Sequence, residues 1–517
     1  MPEREELSRG ELVALVDEQA GVIAARDGRI VAQDAQIAAM AAQVAGLLDA
    51  NEALVGRLAK LEHLLSRNSK NSSSPPSKDD DLGKTPPAPA ATKRRGGAPK
   101  RKRGKQPGAP GANLAWRESP DVSKDRFPEG CCGCGADLAA ATDLGVVDRY
   151  QQHEIPQVSV KVVQYDQHRV RCGCGTVHTA ARPEGARSGN GNVGYGPSLQ
   201  AFAVYLMVMQ FIPAHRCVEL LTSLTGATPS VGFVHGMLAR ASGLLAVADK
   251  RIRTLITLAH AVSCDETPLK VGPRTPKPGR KKAEKYLIVA CTDLYTHYLL
   301  GDRGLDTFKA FVFTDLTDSV IVHDRYCNYD STALGGLTHQ LCCQHLLRDL
   351  AGAAEVYPDE HWPPQIADAL RELIHEANLA REQGRDTIAD HVKTKLVKKF
   401  SDGVLVGLSA TTSHGTRPGE RKARLLLEVF RDRAADVLRF AHDLKVPPTS
   451  NQAERDLRPS KVQQNISGRL TSEKRTQDRY TIRGYLSTAA KHGLNIMDTL
   501  RAAILGNPWM PPDPTPA

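Results

Sequence analysis

Three acids on separated segments have the residue type and setting for metal-assisted chemistry on a phosphodiester. Asp265-Glu266-Thr267-Pro268 follows an apolar stretch of strand character, His260–Cys264, and Asp324 follows the β run Ser319–His323. Glu454 lies in Asn451-Gln452-Ala453-Glu454-Arg455-Asp456-Leu457-Arg458, introduced by Val446-Pro447-Pro448-Thr449-Ser450. Carboxylates are hard oxygen ligands suited to Mg2+ or Mn2+. Two such ions about 3.5–4 Å apart activate the attacking oxygen and stabilise the leaving oxygen of a phosphodiester. Packed about 4 Å apart without a cation, each ionised pair repels by several kcal/mol, so a cluster of these acids implies bound metal or raised pKa values. Asn451, Glu454, Arg455 and Arg458 recur at helical spacing, which sets an amide, a carboxylate and two guanidiniums along one face. The alternative at that position is a cap, with Asn451 as N-cap, Glu454 reaching back and Arg458 pairing with Glu454.

Strands must carry the first two acids. Pro268 removes a ladder donor, which predicts that Asp265 sits at a strand end, and Lys285–Thr292 with Thr296–Leu300 reads as a hairpin around Asp293-Leu294. Three antiparallel strands followed by a strand that delivers a second acid is the pattern of an RNase-H-like core. A long helical stretch, 333–445, separates the second acid from the third. Upstream, 190–258 reads as helical, with segments near 199–212, 214–224 and 230–246, and its Gly-containing corner resembles a helix-turn-helix only weakly, core packing being the better account.

Charge adds a partner. The 517 residues hold 68 Lys and Arg against 58 Asp and Glu, and 82–117 alone carry ten basic residues and no acid, so the rest of the chain balances. A surplus confined to one stretch is a tethered arm seeking a polyanion. Lys93, Arg94, Arg95, Lys100, Arg101, Lys102, Arg103 and Lys105 form its centre, flanked by Gly and Pro. Eight phosphate contacts would give a log–log salt slope of about −7 as an upper bound. DNA is the expected partner, with Lys270 and the basic turn Lys277–Lys282 as further contacts.

Eleven cysteines, an odd number without an export signal, favour thiols or a metal over a disulfide scaffold, and the apolar run Ala201–Met209 is too short to span a bilayer. The expected compartment is the cytoplasm, with no membrane partner. Cys131-Cys132-Gly133-Cys134-Gly135 and Cys172-Gly173-Cys174-Gly175 suggest a small zinc-ribbon-like module, with Cys131, Cys134, Cys172 and Cys174 as ligands to a structural Zn2+. The second pair is one residue tight, so Cys132 or His178 can substitute. The other reading is reduced thiols in a small β domain with a strand at Val158–Val163.

At the N-terminus, Ile30, Ile37, Val44, Leu58 and Leu65 recur at heptad spacing beside Met40, Leu47, Leu54 and Leu61, with Asn51 at an a position. Residues 11–66 therefore read as a parallel dimeric coiled coil that ends near Arg67. The resulting expectation is a multidomain α/β chain. It comprises the coil (1–66), a basic linker (67–117), the cysteine module (118–185), a helical DNA-binding region (190–258), the two parts of an RNase-H-like core (259–332 and 446–517), and a helical insertion between them (333–445).

These residues resemble the large transposase of the insertion sequence 66 family. The likeness rests on Ser66-Arg67-Asn68-Ser69-Lys70-Asn71-Ser72-Ser73, Arg103-Gly104-Lys105-Gln106-Pro107-Gly108, the cysteine module, Asp265-Glu266-Thr267-Pro268, Asp324-Arg325-Tyr326 with Tyr329, and Asn451–Pro459. The family's Cys-x-x-His-x-Arg-Arg motif appears as Cys342-Cys343-Gln344-His345-Leu346-Leu347-Arg348, with Leu347 in place of the first Arg. The resemblance implies that Asp265, Asp324 and Glu454 are a DDE triad holding two Mg2+, or Mn2+. These would serve strand cleavage at the element's terminal inverted repeats and strand transfer into target DNA. Independently of the resemblance, the bidentate guanidiniums of Arg455 and Arg458 suit the phosphates of a strand near the metals. The resemblance also implies small accessory proteins encoded beside the gene. The rivals are a related nuclease or resolvase that hydrolyses without joining, and an inactive DNA-binding regulator. Cys342 and His345 are read as a packed helix face, since two ligands do not make a zinc site.

Overall fold

The computed structural model describes residues 9–66, 114–156, 158–181, 193–275, 285–316, 318–412 and 418–513. The basic arm Lys93–Lys105, most of the linker and the turn Lys277–Lys282 lie outside the described residues. The chain falls into two compact units, one within Met1–Pro89, Glu184–Ala214 and Gly232–Ala517, the other within Ala90–Pro183 and His215–Val231. Among the described residues no single helix is long and apolar enough to cross a membrane.

Helix α1 (Arg9–Ser66) runs unbroken for 58 residues, about 87 Å at 1.5 Å per residue. Ile30, Ile37, Met40, Val44, Leu47 and Leu54 are all exposed on it; nothing is described of the Leu58, Leu61 and Leu65 side chains. In the second unit, β1 (Arg169–Arg171) and β2 (Val177–Thr179) form an antiparallel hairpin whose turn is Cys172–Gly175. The strand expected at Val158–Val163 does not form. That run alternates apolar and polar residues, but all six are exposed and no neighbouring strand pairs with them.

Helices α2 (Pro197–Val208), α3 (Ala214–Thr225), α4 (Val231–Leu244) and α5 (Ala246–Thr257) follow, with α3 in the second unit. Then comes a five-stranded mixed sheet built from β3 (Ala261–Leu269), β4 (Lys285–Cys291), β5 (Thr296–Gly301), β6 (Val320–His323) and β7 (Thr338–Leu341), ordered β5-β4-β3-β6-β7. Strands β3 to β5 are antiparallel, while β6 runs parallel to β3 and β7 parallel to β6. Short helix α6 (Leu305–Ala310) bridges β5 and β6.

Two sequence expectations change here. Strand β3 continues through Asp265 to Leu269, so Asp265 is mid-strand and not at an end. It pairs with β6 only over Ala261–Ser263, which leaves that edge of β3 unpaired from Cys264 onward, and Pro268 forfeits no bond on that side. The range read as a helical insertion opens with β7, a strand of the same sheet. Only then do the helices α7 (Cys343–Val356), α8 (Trp362–Glu382), α9 (Asp390–Ala410), α10 (Pro418–Asp432) and α11 (Ala434–His442) follow.

Those helices share a core around Trp362, Leu370, Phe400, Leu427 and Phe430. Gly403 and Gly407 let α9 approach closely, because a Cβ at Gly407 would meet Leu427 and Trp362 at 2.7–2.9 Å and one at Gly403 would meet Ile366 at 2.8 Å. The chain returns to the sheet as α12 (Asn451–Ile466), α13 (Glu473–Lys491) and α14 (Ile496–Ile504). Ala453 and Leu457 of α12 and Tyr480 of α13 pack on Leu269, Leu287, Val289 and Tyr298. Helix α13 also tends the β5 edge: Leu300 N–H donates to Gln477 Oε1 at 2.8 Å and Thr296 N–H to Thr488 Oγ1 at 3.0 Å.

Candidate active site

Strand alternation decides which side chains can meet. On β3, Asp265 shares a face with Leu269, the face that α12 covers. Ser263 lies opposite Val322 on parallel β6, so Asp265 on β3 and Asp324, the residue after β6, come off neighbouring strands close to one another. Glu454 lies in the first turn of α12 and approaches His345, which is in the field of both Asp265 and Asp324. Burial raises the Asp265 pKa well above the ordinary carboxylate range, and the charges of Glu266 and Asp324 raise it further, against the opposing pull of His345. Backbone donors pin both strand carboxylates: Glu266 N–H donates to Asp265 Oδ1 at 2.8 Å and Tyr326 N–H to Asp324 Oδ1 at 3.0 Å.

Glu454 faces α7. Its Oε1 is 3.7 Å from His345 Nε2 and 4.0 Å from an Arg348 guanidinium nitrogen. The capping alternative fails, because α12 starts at Asn451 with Ser450 as N-cap and no side chain caps it. Asp456 points elsewhere, accepting from Thr296 Oγ1 at 2.9 Å and Lys491 Nζ at 3.0 Å, which ties α12 to β5 and α13. Arg455 and Arg458 are exposed on α12, and Lys270 is exposed after β3.

Cys342 and His345 are buried, as a packed helix face requires, but they also join the site. Ser450 N–H donates to Cys342 Sγ at 3.3 Å, so the thiol links the starts of α7 and α12. Burial raises the Cys342 pKa, yet hydrogen bonding and charge from His345 outweigh it and the net shift is downward. Burial conversely lowers the His345 pKa, and Cys342, Asp324 and Asp265 overcome this, setting it at about 9. The C-x-x-H spacing at a helix start was the visible signal; its position against Glu454 was not.

Behind the sheet, Glu266 accepts from Arg303 Nε at 3.0 Å and from Tyr329 Oη at 2.9 Å, and Arg303 lies 3.7 Å over the Tyr326 ring. Burial raises the Glu266 pKa and Asp324 adds to it. Sequence reasoning gave Glu266 and Arg303 no role. Beside them, His323, Asp330 and His339 bring ligand atoms within 4.8 Å of one another. His323 Nδ1 accepts from Arg325 N–H at 3.2 Å, which leaves the proton on Nε2 to reach His339 Nδ1 at 3.0 Å, and Arg433 holds Asp330 at 2.9 Å. An imidazole accepting at one nitrogen lacks a free lone pair at the other, so hydrogen bonds and an ion pair account for this cluster.

The acids fit a divalent cation by donor chemistry, since the half-buried Asp265 carboxylate has the hard oxygen donors of Asp324 in its field. Asp265 and Asp324 lie in each other's field and His345 stands between them and Glu454, but no set containing all three acids has its oxygens within 4.8 Å of one another. Cys132 lies beside Cys134 and Cys172 beside Cys174, and among the described residues no three cysteines bring their sulfurs within 4.8 Å of one another. Cys132 N–H donates to Ala136 O and Gly135 N–H to Cys132 O; Cys172 N–H to Thr176 O and Gly175 N–H to Cys172 O, all at 2.8 Å. The two Cys-Gly-Cys-Gly turns thus match, with Cys132 in the place of Cys172 and Cys134 in that of Cys174. Cys131 lies outside the repeat, and all five thiols are exposed.

Residues 192–478 match the model of the IS66 transposase family, and residues 2–115 match a family of unknown function (DUF6444). No curated protein matches the chain. The IS66 match spans more than half of the sequence and contains all three acids, so the chain belongs to the IS66 family of transposases.

Proposed function

We propose that this transposase cuts and joins DNA strands for a bacterial insertion sequence, with Asp265, Asp324 and Glu454 as its carboxylate triad. In this reading the mixed sheet is an RNase-H-like core and the helices α7 to α11 are an insertion in it. The observation that carries it is the register: Ser263 opposite Val322 sends two acids off adjacent strands toward the helix that holds the third.

The three carboxylates would hold two Mg2+, or Mn2+, which when bound activate the attacking oxygen and stabilise the leaving one. In the first step a water oxygen bonds to phosphorus as the P–O3′ bond breaks, freeing a 3′-hydroxyl on the element end. In the second, that 3′-oxygen bonds to a target phosphorus as the target's P–O3′ bond breaks. Glu266 N–H and Tyr326 N–H keep Asp265 and Asp324 oriented through both steps. Arg455 and Arg458 would hold strand phosphates beside the acids.

The arm Lys93–Lys105 would dock the terminal repeats, and α1 would dimerise through its exposed heptad residues, in the cytoplasm on chromosomal DNA. The cysteine module would bind structural Zn2+, with Cys132 in place of Cys131 because the two matching turns pair it with Cys134. The test is strand cleavage and joining with element-end DNA. Glu454→Gln is expected to abolish both and leave DNA binding intact, and retained cleavage overturns the triad. Cleavage without joining by the unaltered chain favours a nuclease.

A further inference from the structure

Four basic side chains gather at α7, and their pairing separates them into two kinds. Arg325 and Lys422 are both consumed by the buried carboxylate of Asp349, Lys422 at 2.6 Å. His345 and Arg348 are different. They lie three residues apart on one face of α7, and both approach the same oxygen of Glu454, at 3.7 and 4.0 Å. A charge-assisted hydrogen bond is about 2.7–2.9 Å long, so both groups face Glu454 while keeping their donors uncommitted to it. Among the described residues Arg348 makes no closer ion pair. Both side chains are at least three-quarters buried, so they are held in place.

We infer that His345 and Arg348 form a clamp for the non-bridging oxygens of the DNA phosphodiester presented to the acids, with Glu454 as the carboxylate that both groups face. This rests on the proposed function of the same site. A planar guanidinium fork and an imidazole N–H are suited to phosphate oxygens, and both sit where charge builds up on the reacting phosphorus. With Glu454 held by a divalent cation, the same two donors would be left for the phosphate oxygens. Leu347, in place of an arginine, does not disturb this, because it packs on the insertion core while His345 and Arg348 face Glu454.

The test is binding of the full chain to a labelled, nicked DNA duplex by fluorescence anisotropy, with Ca2+ as a non-catalytic cation and separately with EDTA. Arg348→Gln and His345→Asn are each expected to weaken binding about tenfold in Ca2+ and by less than about twofold in EDTA. Arg348→Lys, which keeps charge but loses the fork, is expected to fall between. Glu454→Gln in EDTA frees the clamp and is expected to tighten binding severalfold, a gain that Arg348→Gln removes in the double variant. Unchanged affinity in Ca2+, or equal losses in Ca2+ and EDTA with no gain from Glu454→Gln, overturns the clamp. Thermal melts exclude unfolded variants, and Arg348→Lys serves where Arg348→Gln does not fold. These are binding readouts, so a failed clamp with cleavage still lost in Glu454→Gln leaves the triad standing, whereas retained cleavage in that variant removes the triad itself.

Discussion

His345 Nε2 stands 3.7 Å from Glu454 Oε1, joining the first turn of α7 to the first turn of α12 across about a hundred residues of chain. The contact exists because two helix starts converge on Cys342, whose thiol accepts from Ser450 N–H. Glu454 is therefore positioned from two sides, by α7 in front and by the sheet beneath. Only the sheet side is visible in sequence, as Ala453 and Leu457 alternating with the polar positions of α12.

The anchor beneath is Asp456 with Lys491, both about nine-tenths buried in their side chains. Removing one partner of such a pair strands the other, a loss of about 3 kcal/mol or more. Lys491→Met is expected to lower the urea midpoint accordingly, and a midpoint within error of the parent would show that the pair does not anchor α12. Glu454→Gln, by contrast, should leave the midpoint nearly unchanged.

Stability should fall on acidification because of His323. Burial pulls its pKa well below 6.5, with His339 and Arg433 adding to the shift. Below about pH 6.5 the unfolded histidine takes up a proton that the folded one refuses, so the unfolded state binds more protons and stability drops as pH falls. Each such group contributes up to about 1.4 kcal/mol per pH unit in that window. His323→Phe keeps a ring against Tyr329 and should reduce the slope by one proton, read from urea melts at successive pH values; an unaltered slope would assign the titration elsewhere.

The cysteine turns make a separate prediction. Elemental analysis of the purified chain should find one Zn2+, lost in Cys132→Ser and Cys172→Ser and kept in Cys131→Ser. Retention in Cys132→Ser with loss in Cys131→Ser would restore the CxxC spacing as the ligand set.

Much of the sheet was legible because its signals are local. The Lys285–Leu300 hairpin is two β-branched and aromatic runs around a turn, and it forms as β4 and β5. Asp265 was misplaced within its strand because Pro268 reads as a stop, while the unpaired edge that tolerates it is set by how short β6 is. Strand β7 was missed since four residues cannot be distinguished from the helical pattern that follows. The proposed acids are singled out by their neighbours in sequence, Asp265 and Asp324 by the β runs before them and Glu454 by the helix start. The Glu266–Arg303–Tyr329 cluster and the His345–Glu454 contact were not legible, since each joins segments that only tertiary packing brings together.

The most direct measurement of the central claim is metal rescue in the strand-cleavage assay. Asp265→Cys, Asp324→Cys and Glu454→Cys replace hard oxygen donors with thiolates, which Mg2+ binds poorly and Mn2+ accepts more readily. The account predicts cleavage lost in Mg2+ and regained at least in part in Mn2+ for each variant. Cleavage persisting in Mg2+, at any of the three positions, would contradict a shared metal-binding triad.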